Sequence, residues 1–279
     1  MNDDRPLGLF DSGLGGLTVF EQVVRILPAE PVVYFGDTAN VPYGGRTVKE
    51  LVALGDRIVR FLLNKKVKAV IFACNTSSSV SIHVLRQKYP VPMFGLVEPG
   101  ARMAVEVTRV KRIGILATEA TVRSGSYPAA IATLDPEVQV FSQAAPLLVP
   151  FVETGRVETP EAAAALQEYL KPLKAAGIDT LILGCTHYPF FVPAISRILG
   201  PEVTLVDPAV AMVREVKEEL GKRGMLASSG SPRHEFYVSG DPREFDLLAK
   251  RLSPWQLPPA VQVKEQPTQT VIAAAGDSQ

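Results

Sequence analysis

The sequence predicts an α/β protein of two similar α/β lobes from an internal duplication, with mostly parallel sheets and the active site in the cleft between them. Three observations carry this. First, apolar runs of strand length alternate with stretches of helical periodicity, the pattern of parallel β-α-β units. Second, Val70-Ile71-Phe72-Ala73-Cys74-Asn75-Thr76 and Leu181-Ile182-Leu183-Gly184-Cys185-Thr186-His187 share one design: an apolar run, a small residue, a cysteine, then polar helix-capping residues. Third, Leu7-Gly8-Leu9-Phe10 matches Ile113-Gly114-Ile115-Leu116 at an offset of 106 residues (114 − 8), against 111 (185 − 74) for the cysteines. Matched units in the same order at nearly one offset read as a duplicated unit. The two cysteines are the only ones in the chain. Each stands at the carboxyl end of a strand, where open α/β sheets bind ligands.

In chain order, residues 7–10 form a buried strand and residues 17–27 a helix. Between them, Asp11-Ser12-Gly13-Leu14-Gly15-Gly16 makes a turn whose glycines let backbone N–H groups approach an anion at the helix start. A plain glycine-rich turn accounts for the same residues, and the pattern does not match the dinucleotide fingerprint. A carboxylate such as Asp11 at the end of a buried strand needs a proton, a cation or a donor. Service as a helix N-cap is the other explanation, and both stand. Residues 32–35 are the second strand, followed by the rigid turn Val41-Pro42-Tyr43-Gly44-Gly45-Arg46. Thr47 with Glu50 forms a capping box for a helix to about residue 64. Residues 69–73 are the first cysteine strand. The run Asn75-Thr76-Ser77-Ser78-Ser79 opens one helix to about residue 88, with His83 as a structural residue inside it. Residues 93–97 form a strand, and Pro99 starts a helix.

The second lobe repeats the scheme from residue 111. Its first strand, 111–117, ends in Ala117 at the offset of Asp11, so Asp11 has no acidic counterpart and the symmetry is broken there. Residues 138–141 are a strand, and Glu153 follows an apolar run in a loop. Thr159-Pro160-Glu161 starts a helix that Gly177 ends. Residues 179–184 are the second cysteine strand and 203–206 another strand. Helices at 209–222 and 243–252 follow, and from Pro258 the sequence predicts a strand and a loose tail.

The chain has 279 residues, enough for two domains with separate cores. Its 29 basic and 29 acidic side chains cancel, so charge gives no reason to expect nucleic acid or a membrane surface as partner. The first residues lack a signal pattern and no apolar run reaches membrane-spanning length, which points to the cytoplasm. Two cysteines in that reducing compartment are expected as free thiols. With only three histidines, His83, His187 and His234, the donor set is too small for a structural zinc site, and no metal or cofactor is expected.

A redox pair would have close spacing, C-x-x-C, which these cysteines lack. A buried inert thiol is the default for an isolated strand cysteine. Against it, both cysteines sit at a strand-to-helix junction, where a helix start lowers a thiol pKa from about 8.5. Two opposed acid–base groups suit proton exchange at a carbon stereocentre: a thiolate takes the proton from one face while a thiol delivers one to the other. The polar turns are placed to hold substrate carboxylates.

At these residues the chain resembles the bacterial glutamate racemases. The resemblance is carried by Phe10-Asp11-Ser12-Gly13-Leu14-Gly15-Gly16, Pro42-Tyr43-Gly44, Ala73-Cys74-Asn75-Thr76, Val152-Glu153 and Gly184-Cys185-Thr186-His187-Tyr188-Pro189, and spans residues 7 to about 250. It implies cofactor-independent interconversion of L- and D-glutamate, supply of D-glutamate for peptidoglycan, and a homodimer. It implies a discontinuous first lobe of residues 1–97 and 208–279 and a second lobe of 98–207. It assigns Asp11 with Cys74 to one face of the substrate, and Cys185 with His187, supported by Glu153, to the other. Cys74 would serve the proton of D-glutamate and Cys185 that of L-glutamate. Ser12, Tyr43, Gly44, Asn75, Thr76 and Thr186, with Asp11 and His187, would bind the substrate. One departure is visible: the family usually has alanine after the first cysteine motif, where this chain has Ser77-Ser78-Ser79. An aspartate racemase and a two-lobed dicarboxylate-binding protein are the competing readings.

Overall fold

Two parallel sheets carry the chain. The computed structural model describes residues 3–228 and 230–264. The first sheet begins with β1 (Leu7–Asp11), α1 (Gly16–Ile26), β2 (Val32–Gly36), α2 (Val48–Asn64), β3 (Ala69–Phe72), the short helices α3 (Asn75–Val80) and α4 (Ile82–Lys88), and β4 (Met93–Phe94). Helix α5 (Val97–Val107) leads into the second sheet. That sheet is built from β5 (Arg112–Ala117), α6 (Glu119–Ser124), α7 (Ser126–Leu134), β6 (Gln139–Ala144), α8 (Leu148–Glu153), α9 (Pro160–Ala175), β7 (Thr180–Gly184), a 3-10 turn at Tyr188–Phe191, α10 (Val192–Leu199) and β8 (Thr204–Val206). Helix α11 (Pro208–Lys222) returns the chain to the first sheet, which gains β9 (Glu235–Val238), α12 (Pro242–Leu252) and β10 (Val261–Gln262).

Strand order is β10-β9-β2-β1-β3-β4 in one sheet and β6-β5-β7-β8 in the other. The segment β2-β1-β3-β4 therefore has the same wiring as the whole second sheet, as a duplication predicts. Phe10 pairs with Phe72 and Leu116 with Leu183, so the paired strands β1/β3 and β5/β7 occupy equivalent central positions. Because every pairing is parallel, each sheet gathers its polar turns along one carboxyl edge.

Helices cover both faces of each sheet, which is why the central strands read as continuous apolar runs. In the first sheet, α1 and α11 bury Phe20, Val23, Met212 and Val216 on one face, and α2 buries Ile58, Val59 and Leu62 on the other. In the second, α9 and α10 supply Leu166, Leu170 and Ile195 to one face, and α5 and α7 supply Ala101, Ala104 and Ile131 to the other. The two crossing helices also touch: a Cβ on Gly100 would lie 2.9 Å from Pro208. At the amino edge of the first sheet, Lys68 and Glu30 are both buried and pair at 2.5 Å. Lys68 Nζ also donates to the carbonyls of Asp3 (2.6 Å) and Met225 (2.8 Å).

Thr47 and Glu50 make the expected capping box on α2. Other details differ from the sequence expectation. The helix after Cys74 is broken at Ser81, in a serine-rich run whose hydroxyls bond backbone carbonyls, Ser78 to Phe72 and Ser81 to Leu51. Such side-chain bonds compete with a continuous helix. Helix α5 starts at Val97, placing Pro99 within its first turn, where no intrahelical N–H bond is lost. Strand β6 runs on to Ala144, paired along the full length of β5. Glu153 ends the helix α8 and does not lie in a loop; Pro150 falls in the first turn of that helix, where it is tolerated. The predicted strand near 258 is β10, and the predicted tail lies outside the described residues. Among the described residues no helix is long and apolar enough to cross a membrane.

Candidate active site

The carboxyl edges of the two sheets face each other, and the two cysteines meet between them. Cys74 follows β3 as the N-cap residue of α3, and Cys185 directly follows β7. Both are buried free thiols. Of the residues singled out from the sequence, Cys74, Cys185, His187, Ser12, Tyr43, Gly44, Asn75, Thr76 and Thr186 line one cavity. Asp11 and Glu153 do not line it; they stand behind it, bonded to Thr186 and His187, which do. The free space is about 10 Å³, room for about one water molecule.

On the second-lobe side, His187 is buried with Nδ1 3.6 Å from Cys185 Sγ and Nε2 2.5 Å from Glu153 Oε1. Burial works to lower the His187 pKa, but the Cys185 sulfur and the Glu153 carboxylate outweigh it and raise it well above the usual imidazole value. Glu153 thus orients the ring and holds its proton, and the ring presents its other nitrogen to the thiol.

The glycine-rich turn after β1 meets an anion, and that anion is Glu153. Leu14 N–H donates to Glu153 Oε1 at 2.8 Å. A Cβ on Gly13 would lie 2.2 Å from the same oxygen, and one on Gly15 would lie 2.4 Å from His187 Nδ1. These glycines let the first lobe close directly on the Glu153–His187 pair. Asp11 accepts from Gly13 N–H (2.9 Å) and, across the cleft, from Thr186 Oγ1 (3.0 Å). It is therefore held by donors and is not the cap of α1, whose N-cap is Gly15. Burial raises its pKa, partly offset by His187 and the Gly13 N–H.

Around Cys74 the electrostatics run opposite to the sequence expectation. Burial, then the Asp11 carboxylate, push this thiol from 9.0 up to about 12. The start of α3 does not hold it down, because desolvation of the thiolate in a closed site exceeds the help of a short helix.

Five contributors were not singled out from the sequence, among them Val149, which lines the cavity with its apolar side chain. Asp37 is buried and accepts from Tyr43 OH (2.5 Å), Ser239 Oγ (2.7 Å) and Asn40 Nδ2 (2.9 Å), fixing the turn that carries Tyr43 and Gly44. Thr118 lines the cavity and bonds Thr76 Oγ1 at 2.8 Å across the lobes, and Thr121 lies 3.0 Å from Thr118. Tyr127 OH donates to Asn75 Oδ1 at 2.7 Å, orienting that amide. Thr118 carried a readable signal: it stands 106 residues (118 − 12) after Ser12, the offset of the first duplicated strands. Asp37 and Tyr127 carry no local mark. Among the described residues no group of three or more His, Cys, Asp or Glu is arranged to hold a metal ion.

The sequence model of the Asp/Glu/hydantoin racemases matches residues 8–216. The chain belongs to that family. It is 52% identical over 250 residues to the glutamate racemase of Desulforudis audaxviator, covering 87% of this chain and 92% of that one. Among solved structures, glutamate racemase isoform RacE1 from Bacillus anthracis superposes with a TM-score of 0.90 at 36% identity, over 93% of this chain and 97% of that one. The Francisella tularensis glutamate racemase in complex with D-glutamate gives 0.87 at 32% identity, over 94% and 98%. The chain is thus an isomerase of the racemase class, on the two-lobed α/β fold of those structures.

Proposed function

We propose that this enzyme racemises glutamate by proton transfer at Cα between two cysteines, without cofactor or metal. The observation that carries the reading is that Cys74 and Cys185, at equivalent strand ends of two duplicated sheets, line one buried cavity. The choice of glutamate is supported by relatives that bear that name and by the neighbour solved with D-glutamate.

In the structure described, Cys74 holds its proton at neutral pH, since its pKa is pushed up to about 12. It is the acid of this form. The base on this reading is Cys185, whose sulfur lies 3.6 Å from His187 Nδ1. This form takes the Cα proton at Cys185 and gives one from Cys74; by the family assignment it acts on L-glutamate. The product complex, with Cys74 ionised and Cys185 protonated, is the form that acts on D-glutamate. Asn75, Thr76 and Thr118 supply the amide and hydroxyl donors for the two carboxylates, and Thr186, whose hydroxyl is committed to Asp11, supplies its backbone. A hydrogen bond to the α-carboxylate that strengthens as charge develops lowers the barrier to proton removal. Tyr43 OH is committed to Asp37, so this residue contributes its ring and the backbone beside it.

A cavity of about 10 Å³ does not admit an amino acid, so substrate entry requires the lobes to part. The bonds that must yield include Ala120 N–H to Gly44 O (2.9 Å) and Thr76 to Thr118. On this reading the enzyme works in the cytoplasm as a homodimer, and its D-glutamate feeds peptidoglycan synthesis.

The test is a racemisation assay on purified protein, with both enantiomers of glutamate and of aspartate, before and after dialysis against chelator. Glutamate turnover that survives dialysis and is lost in Cys74→Ala and Cys185→Ala supports the reading. Faster turnover of aspartate, metal-dependent turnover, or normal turnover by Cys185→Ala would overturn it.

A further inference from the structure

Cys74 is surrounded by groups that oppose its ionisation. Asp11 faces it from the end of β1 and Cys185 from the end of β7, and the phenols of Tyr34 and Tyr43 share its field. Helices α2 and α6 meet it with apolar side chains, Leu51, Leu54 and Ala120. Yet on the reading above Cys74 must become a thiolate in every turnover, and a buried thiolate needs a donor.

Ser77 is the residue placed to provide one. It lies three positions after Cys74 on α3, where the side chain of an N-cap residue approaches the backbone N–H. It is completely buried, and its Oγ has no hydrogen-bond partner. Both its N–H and its hydroxyl act on Cys74 in the direction that favours the thiolate. Substrate does not account for the unpaired hydroxyl, because Ser77 does not line the cavity. The neighbouring serine is differently employed: Ser78 Oγ donates to Phe72 O (2.9 Å) and accepts from Leu96 N–H (3.2 Å). Ser79 Oγ is also unpartnered, but Ser79 lies five positions after Cys74, beyond the residues that follow the N-cap within the first turn.

We propose that Ser77 is a positioning residue for proton transfer, its hydroxyl unpaired while Cys74 is protonated and donating to the Cys74 sulfur once the thiolate forms. A donor engaged only in the charged state favours that state selectively, and so acts on the proton-transfer step without tightening the resting enzyme. The inference rests on Cys74 being a proton carrier, and its test does not require racemisation.

Cys185→Ala leaves Cys74 as the single thiol of the full chain. In that background, alkylation by iodoacetamide at pH 8, followed by intact mass, reports the thiolate. Removing the donor is expected to raise the thiol by about one pK unit, leaving about a tenth of the thiolate; the remaining, more basic thiolate reacts about threefold faster, for a net slowing of about threefold in Ser77→Ala. Ser77→Thr, which keeps the hydroxyl, should retain the parent rate, and Ser79→Ala, a matched deletion on the same helix, should not change it. In the two-cysteine enzyme, Ser77→Ala should raise the isotope effect on Cα-deuterated glutamate only for the enantiomer whose proton Cys74 removes. Alkylation of Ser77→Ala at the parent rate, or slowing matched by Ser79→Ala, would overturn the role of Ser77 while leaving the proposed function standing. Absence of racemisation by the unaltered enzyme would overturn that function and leave the alkylation result readable.

Discussion

Gly13→Ala tests whether the glycine-rich turn exists to admit Glu153. Gly13 does not adopt a positive φ, so alanine is permitted there by the backbone. The cost comes from contact: the new Cβ would lie 2.2 Å from Glu153 Oε1 and 2.8 Å from its Cδ. The carboxylate is the end of a flexible side chain, but it is pinned by Leu14 N–H at 2.8 Å and His187 Nε2 at 2.5 Å. Moving it leaves two buried donors unpaired, at about 1–3 kcal/mol each, or about 2–6 kcal/mol together. At roughly 2–4 °C per kcal/mol for domains of this size, the melting temperature should fall by about 4–24 °C. Racemisation should fall with it, to the level of Glu153→Ala, because the ring of His187 loses its anchor. The decisive assay is a double-mutant cycle, with thermal unfolding and racemisation measured on Gly13→Ala, Glu153→Ala and the pair. In the Glu153→Ala background there is no carboxylate to displace, so Gly13→Ala should add little. If Gly13→Ala cost the same in both backgrounds, the account of this turn would be wrong.

Three further outcomes are expected. Lys68→Met should destabilise the chain by about 3–5 kcal/mol in denaturant unfolding, since it strands a buried carboxylate, and adding Glu30→Leu should recover most of the loss. Asp11→Asn should raise stability at neutral pH while slowing racemisation: burial raises the Asp11 pKa, so stability falls as pH rises from the unfolded carboxylate value through the folded one, and melting curves of the two proteins should converge in acid. Asp11→Asn should enlarge the isotope effect with Cα-deuterated D-glutamate and His187→Asn that with L-glutamate; enlargement for the same enantiomer in both would refute separate assistants for the two thiols.

The duplicated fold and the two thiols were legible because short local patterns mark them. Strand, small residue, cysteine and cap lie within seven consecutive positions, and the repeat shows itself by offset alone. The contacts that make the site work join residues far apart. Glu153 meets Leu14 across 139 positions, and Thr186 meets Asp11 across 175. Nothing local in Val152-Glu153-Thr154 marks the carboxylate as a histidine anchor; only the family resemblance did. The same limit explains the misjudged Cys74. Its helix start is visible in the sequence, but its burial among Tyr43, Leu51 and Ala120, residues far apart in the chain, is not, and burial dominates the thiol.

Broken symmetry between the halves has a constrained meaning for this reaction. Enantiomers have equal free energy in water, so the ratio kcat/KM must be equal in the two directions, whatever surrounds each thiol. Substituting Asp11 or His187 therefore cannot favour one direction in kcat/KM. What the surroundings can set is which protonation form the free enzyme rests in and which proton transfer limits the rate. On the proposed mechanism, burial and then Asp11 keep the Cys74 thiol protonated, while His187 Nδ1 stands 3.6 Å from the Cys185 sulfur as its proton partner. The resting enzyme is then biased toward one form, and the difference must emerge as a split between kcat and KM, matched in the opposite sense for the other enantiomer. That is why isotope effects, which report the limiting proton transfer for each enantiomer separately, can detect the assistants where specificity constants cannot. It also gives a reason for the acidic residue in one half only: a second carboxylate in place of Ala117 would burden both thiols with like charge and leave neither poised as the base.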